Sequence, residues 1–197
     1  MTTHLLIVRH GNTFTPEETP RRVGARTDIP LVDKGLEQAH RVASWLQNHQ
    51  ITPDVVFSVP LLRHTQTADI VTSTLNLPPA TIHPGLTEID YGPDENQTED
   101  NVISRLGQQV ITDWNTHATV PEGWQVKPTA LTATWAQLAS DHPQKTILAI
   151  TSNGTARFAL NLLATPPTTP LKLSTGAIGH LTHHHNTWHL EAWNVRP

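Results

Sequence analysis

The sequence predicts an α/β fold built on a largely parallel central sheet. Three short apolar runs carry this prediction, because strands that are buried on both faces lack the polar alternation of half-exposed sheets. The runs are Leu5–Val8, Val55–Ser58 and Ile147–Ile150. Stretches with helical spacing separate the runs, and strands that alternate with helices favour parallel pairing. We therefore expect the three strands to lie in one sheet.

Length and composition narrow the class of protein. The 197 residues suffice for one α/β domain, residues 1–197, to bury a core without disulfides. The chain has no cysteine, which excludes thiol chemistry and Cys-based zinc sites and fits a reducing compartment. A net charge of -4 with only 13 Lys and Arg argues against nucleic acid as a partner. The N-terminus predicts neither a secretion signal nor a membrane span, so we expect a cytoplasmic protein with no membrane partner.

The first half of the chain is predicted to contain one long loop, two helices and a short strand. Residues 14–32 are rich in Thr, Pro and Arg, and loops of this length are functional or disordered. Asp33 is expected to be the N-cap of an amphipathic helix that ends near residue 50. A second helix is expected from about residue 63 through Leu75, followed by a short strand at 80–83.

The second half is predicted to contain three more helices and a terminal hairpin. Apolar spacing predicts helices at about 98–117, 128–141 and 156–163. Alternation in Ala177–His184 and Thr187–Trp193, around His185-Asn186, is typical of a hairpin. The edge strand of this hairpin could pair with a second copy of the chain, so a homodimer is an open expectation. The tryptophans are expected to pack in the core, because nothing near them indicates base stacking.

The run His183-His184-His185 in this hairpin raises the question of a metal site. Alternation along a strand directs neighbouring side chains to opposite faces, and no carboxylate follows at ligand spacing. We therefore expect no metal site and no cofactor.

The dipeptide Arg9-His10 follows the first strand, where open α/β sheets bind their ligands. A neutral imidazole is a good nucleophile toward phosphorus, and a neighbouring guanidinium lowers its pKa so that it stays neutral near pH 7. Arg9 also offers planar donors for phosphoryl oxygens. Gly11 permits a sharp turn or a close approach to a bound group. The alternative is that His10, one of 13 histidines, is an ordinary loop residue.

Polar residues also follow the other two buried strands. Arg63 lies in the first turn of the helix after the second strand, near backbone N–H groups that attract anions. Thr151-Ser152-Asn153-Gly154 follows the third strand. The 14–32 loop contributes three arginines that either extend an anion pocket or are solvated: Arg21, Arg22 and Arg26.

Four segments, in this order, resemble the histidine phosphatase superfamily, also called the phosphoglycerate mutase-like fold. They are LLIVRHGNT, GARTDIPLVDKGLEQA, SVPLLRHTQTA and LTEIDYG. One Arg-His-Gly match is weak, whereas four segments in order and at plausible distances are strong. The resemblance spans nearly the whole chain and implies a three-layer sandwich with helices on both faces of the sheet. The RHGNT form is similar to the mutase and small-phosphatase branch rather than the acid phosphatase and phytase branch.

The resemblance implies a role for each residue of the site. His10 is the implied nucleophile that takes the phosphoryl group, and Arg9 and Arg63 bind its oxygens. Glu88 is the implied acid for the leaving alcohol and then the base that activates water against phosphohistidine. An exposed loop carboxylate is the alternative reading of Glu88. Further donors to the phosphate are expected from Asn12 and Thr13.

Asn153 departs from the family pattern, which has a histidine before this glycine. That histidine is understood to hold the phosphoryl group in the transition state, and losing one preorganised donor costs about 3 to 4 kcal/mol. The amide of Asn153 can place an N–H where an imidazole N–H would point, but without positive charge. Gly154 is expected to offer its backbone N–H to phosphate at the start of the next helix. We expect oxyanion binding with slower turnover or a narrower substrate range.

These residues predict a metal-independent phosphomonoesterase that acts on a small phosphorylated molecule through phosphohistidine. A phosphoglycerate mutase-type phosphotransferase is less favoured, because the segment after Glu88 is acidic, has Arg105 as its only nearby basic residue, and is expected to repel a bisphosphate. A non-catalytic phospholigand-binding protein of the same fold is the alternative from another class, since function belongs to the site. No motif in the loops at 14–32 and 93–125 names the substrate.

Overall fold

One six-stranded sheet organises residues 2–197, which the computed structural model describes. The strands are β1 (Thr3–Arg9), β2 (Val55–Ser58), β3 (Thr81–Ile82), β4 (Thr146–Thr151), β5 (Ile178–His184) and β6 (Thr187–Val195). Their order across the sheet is β3-β2-β4-β1-β5-β6. The pairs β1–β4, β2–β4 and β2–β3 are parallel, whereas β5 runs antiparallel to both β1 and β6. The predicted α/β fold with a largely parallel sheet is confirmed.

Side chains of β1 alternate between two hydrophobic cores, one on each face of the sheet. Leu5 and Ile7 belong to one core, and Leu6 and Val8 belong to the other. Helices α1 (Asp33–Asn48) and α2 (Leu62–Thr74) supply apolar side chains to the second core. The first core is completed by α3 (Glu99–Leu106), α4 (Gln108–His117) and α5 (Pro128–Asp141). Helices therefore cover both faces, which confirms the three-layer sandwich.

The start of α1 differs from the sequence prediction by one residue. Asp33 is the first helical residue, and Val32 occupies the N-cap position without a side-chain hydrogen bond. The prediction that Asp33 caps this helix is therefore wrong. In the first turn, the Asp33 carboxylate instead lies where the positive end of the helix dipole favours a negative charge.

Two predicted helices are interrupted. The stretch predicted as one helix at 98–117 is divided into α3 and α4 at Gly107, whose φ of 88° does not continue an α-helix. The helix predicted at 156–163 begins earlier, as α6 (Asn153–Ala156), and continues as a 3₁₀ helix over Arg157–Leu162. Apolar spacing is similar on both sides of such a break, so the sequence pattern does not reveal it.

The terminal hairpin forms as predicted. His185 and Asn186 connect β5 to β6 with φ values of 49° and 60°, which suits a two-residue type I′ turn. His183 stacks on Trp188, and His184 stacks on His189. Within residues 2–197, no group of three or more His, Cys, Asp or Glu side chains is arranged to hold a metal ion.

The tryptophans pack as the sequence predicts. Trp114, Trp124 and Trp135 are buried in the first core, and Trp188 and Trp193 pack against it. Among the helices of the described part of the chain, none has the length and apolar character that crossing a bilayer requires.

Candidate active site

A cavity of about 910 Å³ lies at the carboxyl ends of β1 and β4, and its lining includes Arg9, His10, Glu88 and Asn153. The register of the sheet explains this convergence. Arg9 is paired with Thr151, and the backbone N–H of His10 donates to Thr151 O at 3.0 Å. Both strands therefore end at the same level of the sheet. The cavity volume lies within the usual range for small-molecule sites.

His10 is sheltered from solvent but reachable from the cavity. Its side chain is 4% exposed and is part of the cavity lining. Its Nδ1 lies 2.7 Å from Gly11 O, and because a carbonyl only accepts, Nδ1 must carry the hydrogen in this contact. Burial lowers the pKa of His10 well below its usual range, and the neighbouring His64, Arg9 and Arg63 lower it further. The ring is therefore neutral, with its lone pair on Nε2.

Two guanidinium groups lie close to this ring. Arg9 lines the cavity and donates from Nη1 to Leu173 O at 2.9 Å. Arg63 is fully buried and is not among the residues that line the cavity; its terminal nitrogens donate to Thr27 O at 2.7 Å and to Gly24 O at 3.1 Å. These contacts use two of the five N–H donors of Arg63, and its Nε is buried without a partner in the described residues. Arg63 thus holds the 14–32 loop to α2, and within residues 2–197 its Nε–H group remains without a hydrogen-bond acceptor.

Glu88 is held in place by two backbone N–H groups. Ile89 donates to Oε1 at 2.9 Å, and Gly154 donates to Oε2 at 3.2 Å. The side chain is only 6% exposed, so Glu88 is not an exposed loop carboxylate. Burial raises its pKa, and the two N–H groups and the nearby Arg63 and Arg9 offset only part of that effect. A raised pKa suits a carboxyl group that gives a proton and then takes one back.

Asn153 and Gly154 lie at the start of α6 and have different tasks. Asn153 lines the cavity, and its Oδ1 accepts a hydrogen bond from the Leu173 N–H at 2.8 Å. The Nδ2 group is therefore the end of the amide that remains to donate to a ligand. The expectation that Gly154 offers its N–H to phosphate is wrong, because that N–H is already bonded to Glu88.

Asn12 and Thr13 both line the cavity, as expected for additional donors. The Asn12 backbone N–H is not available to a ligand, because it donates to Gln38 Oε1 at 2.7 Å. The close approach expected at Gly11 is made to a helix rather than to a bound group. A Cβ at position 11 would lie 2.7 Å from Gly35 Cα in α1, so only glycine fits there.

The three arginines of the 14–32 loop were expected either to extend an anion pocket or to be solvated, and both cases occur. Arg21 and Arg22 line the cavity. Arg22 is paired with Glu99 at 2.7 Å, and its guanidinium lies 4.9 Å from the centre of the Trp124 ring. Arg26 is exposed and is paired with Asp90 at 3.0 Å, so it belongs to the protein surface.

The acidic segment after Glu88 faces the cavity only in part: Glu99 lines the cavity and is paired with Arg22 at 2.7 Å. Asp94 is buried, forms an ion pair with Arg105 and accepts a hydrogen bond from Trp124 Nε1 at 2.7 Å. Glu95 accepts hydrogen bonds from the backbone N–H groups of Gly24 and Arg26. These internal pairs weaken the expected repulsion of a bisphosphate, which stays a prediction. Four basic side chains besides Arg9 line the cavity: Arg21, Arg22, Lys34 and Lys172.

Sequence reasoning did not assign Lys172 to the site. The residue lies in the segment before β5, and antiparallel pairing brings that segment beside Arg9: Gly176 N donates to Arg9 O at 3.0 Å. The position of β5 next to β1 has no signature in the sequence. A basic residue shortly before a hairpin was the only available signal.

The comparisons with known proteins agree with this geometry. The family model for the histidine phosphatase superfamily (branch 1) matches residues 5–196. The chain belongs to the histidine phosphatase superfamily. A curated relative, the "Probable phosphoglycerate mutase" of Yersinia pestis (strain Pestoides F), is 34% identical over 119 residues, which are 59% of this chain and 53% of the relative. The chain thus spans about half the length of the curated relatives that it matches.

Solved structures of two phosphatases share the fold over almost the entire chain. Mycobacterial glucosyl-3-phosphoglycerate phosphatase has a TM-score of 0.81 and 18% identity, and the match covers 99% of this chain and 100% of that one. The alpha-ribazole phosphatase of Shigella flexneri has a TM-score of 0.77 and 21% identity, with 98% and 96% covered. At these identities the likeness establishes the architecture alone.

Proposed function

We propose that this histidine phosphatase superfamily member is a metal-independent phosphomonoester hydrolase that acts through a phosphohistidine. The proposal depends on the neutral ring of His10, which lines the cavity. Because Nδ1 carries the hydrogen that is bonded to Gly11 O, Nε2 is unprotonated and has a lone pair for nucleophilic attack. Arg9 and Glu88 line the same cavity. An imidazole, a guanidinium and a carboxyl group therefore line one cavity, which supports the proposal.

In the first step, His10 Nε2 attacks the phosphorus and the bond from phosphorus to the leaving oxygen breaks. Glu88 gives its proton to that oxygen, so the alcohol leaves in neutral form; its raised pKa keeps such a proton available. The phosphorylated ring is cationic, and its Nδ1–H donates to Gly11 O. Arg9, Arg63 and the Nδ2 group of Asn153 bind the phosphoryl oxygens, which gather negative charge in the transition state.

In the second step, the Glu88 carboxylate takes a proton from a water molecule as that water attacks the phosphohistidine. The bond from phosphorus to Nε2 breaks, inorganic phosphate leaves, and both His10 and Glu88 return to their starting protonation states. The Ile89 and Gly154 N–H groups hold the carboxylate in one place for both proton transfers. Reuse of one carboxyl group is possible because each step reverses its protonation.

The substrate we propose is a small phosphorylated molecule with additional negative charge. Arg21, Lys34 and Lys172 line the cavity and provide positive potential beyond the reacting phosphate. The names of two of the similar proteins support this class, since phosphoglycerate and glucosyl-3-phosphoglycerate carry a carboxylate as well as a phosphate.

Hydrolysis of p-nitrophenyl phosphate, with mass-spectrometric trapping of the adduct, tests the mechanism. We expect release of nitrophenol in the presence of EDTA, and a phosphoryl adduct on His10 that is absent in His10→Ala. Glu88→Gln is expected to accumulate the adduct, because the good leaving group needs no acid whereas attack by water still needs a base. Failure of the native protein to give product or adduct would refute catalysis and favour the non-catalytic phospholigand-binding alternative.

A phosphoglycerate mutase-type phosphotransferase is the second candidate, and the basic lining of the cavity favours it. A mutase must retain its phosphorylated intermediate, and the basic side chains can hold a second anionic group. Incubation with a phosphoglycerate distinguishes the two reactions. A hydrolase releases inorganic phosphate, whereas a mutase forms the isomeric phosphoglycerate without net release.

A further inference from the structure

His64 is a buried titratable side chain for which the proposed reaction has no use. It lies in the first turn of α2, beside Arg63, and is 0% exposed. Its Nε2 lies 2.7 Å from Ser152 Oγ, while its Nδ1 is buried without a hydrogen-bond partner among the described residues. A buried nitrogen without a partner costs free energy. The bond to Ser152 satisfies one nitrogen of the ring, and the other nitrogen is left at a cost in stability.

The ring of His64 packs against the nucleophile. The ring centroids of His64 and His10 are 4.9 Å apart and the planes meet at 72°, an edge-to-face arrangement. Thr67, three residues further along the helix and on the same face, accepts a hydrogen bond from the Gly11 N–H at 3.3 Å. The start of α2 thus contacts both His10 and the residue whose carbonyl binds His10 Nδ1.

The hydrogen bond of His64 reaches the end of β4. Ser152 is buried and directly precedes Asn153, which lines the cavity. His64 therefore contacts the His10 ring on one strand end and the residue before Asn153 on the neighbouring strand end. One side chain joins the two segments that must face the same phosphoryl group.

The groups around His64 come from three elements and make protonation unfavourable. Arg63 lies on its own helix, Arg9 and His10 lie at the end of β1, and β4 is followed by the uncharged Ser152. Burial lowers the pKa of His64 well below its usual range, and Arg63 and Arg9 lower it further. His64 therefore stays neutral and excludes water from one side of the His10 ring without adding charge.

We propose that His64 is a positioning residue that holds the His10 ring so that Nε2 faces the cavity, and that aligns Asn153 with it through Ser152. This inference rests on the proposed function, because it assigns a task within that site. Without the His64 ring, water can enter beside His10 and the His10 ring can rotate away from the Gly11 carbonyl. Part of the His10 population would then present the wrong nitrogen.

Three substitutions separate the packing of the ring from its hydrogen bond. His64→Phe keeps a ring without the bond to Ser152, His64→Gln keeps a polar group without a ring, and His64→Ala removes both. With p-nitrophenyl phosphate, we expect His64→Ala to lower kcat about tenfold, with KM changed less than about twofold. The fall in the kcat of His64→Ala on the acid side of its pH profile should begin at a higher pH than in the native protein. His64→Phe should return this fall to near its native pH.

Nitrogen NMR of the His10 ring gives a second measurement that does not depend on turnover. In the native protein we expect Nδ1 protonated and Nε2 unprotonated between about pH 5.5 and 8. In His64→Gln we expect a mixture of tautomers and titration at a higher pH. His40→Ala, an exposed histidine change on α1, is the matched control and should alter neither measurement.

The outcomes separate this inference from the proposed function. If folded His64→Gln and His64→Phe keep the native tautomer, titration and pH profile, His64 is not a positioning residue, even if both variants are less stable. If the native protein forms neither phosphate nor the His10 adduct, the proposed function fails. The NMR comparison still decides the task of His64 in that case. If His64→Ala does not fold, the measurements on His64→Gln and His64→Phe are sufficient to test the inference.

Discussion

Replacing Gly154 with alanine tests whether the Glu88 carboxyl group must stay where the structure places it. A Cβ at position 154 would lie 3.0 Å from Glu88 Cδ, whereas carbon atoms in good contact are about 3.5 to 4.0 Å apart. The carboxyl group must therefore retreat by about 0.5 to 1 Å, and its 3.2 Å bond from the Gly154 N–H lengthens. A misplacement of about 1 Å costs about 100-fold in rate when a group acts through aligned proton transfer.

An alkyl phosphate is the substrate for this test, because its poor leaving group needs the proton from Glu88. We expect Gly154→Ala to lower kcat/KM about 100-fold for the alkyl phosphate, with a smaller effect on the first turnover of p-nitrophenyl phosphate. Gly107→Ala is the control: its Cβ meets nothing within 4 Å, but its φ of 88° strains the new residue. The control should lose about 1 kcal/mol of stability and no activity. Native activity in folded Gly154→Ala would refute the role assigned to Glu88.

Three further predictions concern the departure at Asn153, the buried histidines and the basic lining. Asn153→His should raise kcat, by 1000-fold at most, and lower activity on every phosphomonoester would show that Asn153 is not a weaker substitute. The pKa values of His10 and His64 lie well below 6.5 in the folded state, so the unfolded chain binds more protons as the pH falls. The free energy of unfolding should therefore decrease below pH 6.5 by up to about 1.4 kcal/mol per pH unit for each histidine. Denaturation at several pH values measures this slope, which His64→Gln should lower by at least half, because it removes one histidine and raises the pKa of the other. Lys172→Ala should raise KM about threefold for substrates with an additional carboxylate and leave p-nitrophenyl phosphate unaffected; equal effects on both would contradict the assigned contact.

The central part of the fold could be predicted because burial leaves a direct mark on the sequence. Runs such as Leu5–Val8 and Ile147–Ile150 lie between two cores, and a short run of consecutive apolar residues that is followed by polar ones is typical of a strand buried on both faces. The break at Gly107 and the 3₁₀ segment at Arg157–Leu162 could not be predicted, because they depend on backbone dihedrals rather than on periodicity.

The sequence predicted the site residues that directly follow β1 and β4. It did not predict the hydrogen bonds and ion pairs that form between segments distant in the sequence. His10, Arg9 and Asn153 line one cavity because parallel strands end at the same edge of the sheet. The bond from Gly154 to Glu88 and the inward turn of Asp94 toward Arg105 depend on contacts between distant segments. Local sequence shows that such residues are polar or charged, but it does not show which of them neutralise one another.

The location of His10 immediately after β1 has a consequence for the way the protein opens. β1 lies between β4 and β5, and the His10 N–H donates to Thr151 O. This amide should exchange with deuterium as slowly as the amides of the most protected strands. The His10 ring is therefore attached to the centre of the sheet, and local opening elsewhere in the protein should leave its position unchanged.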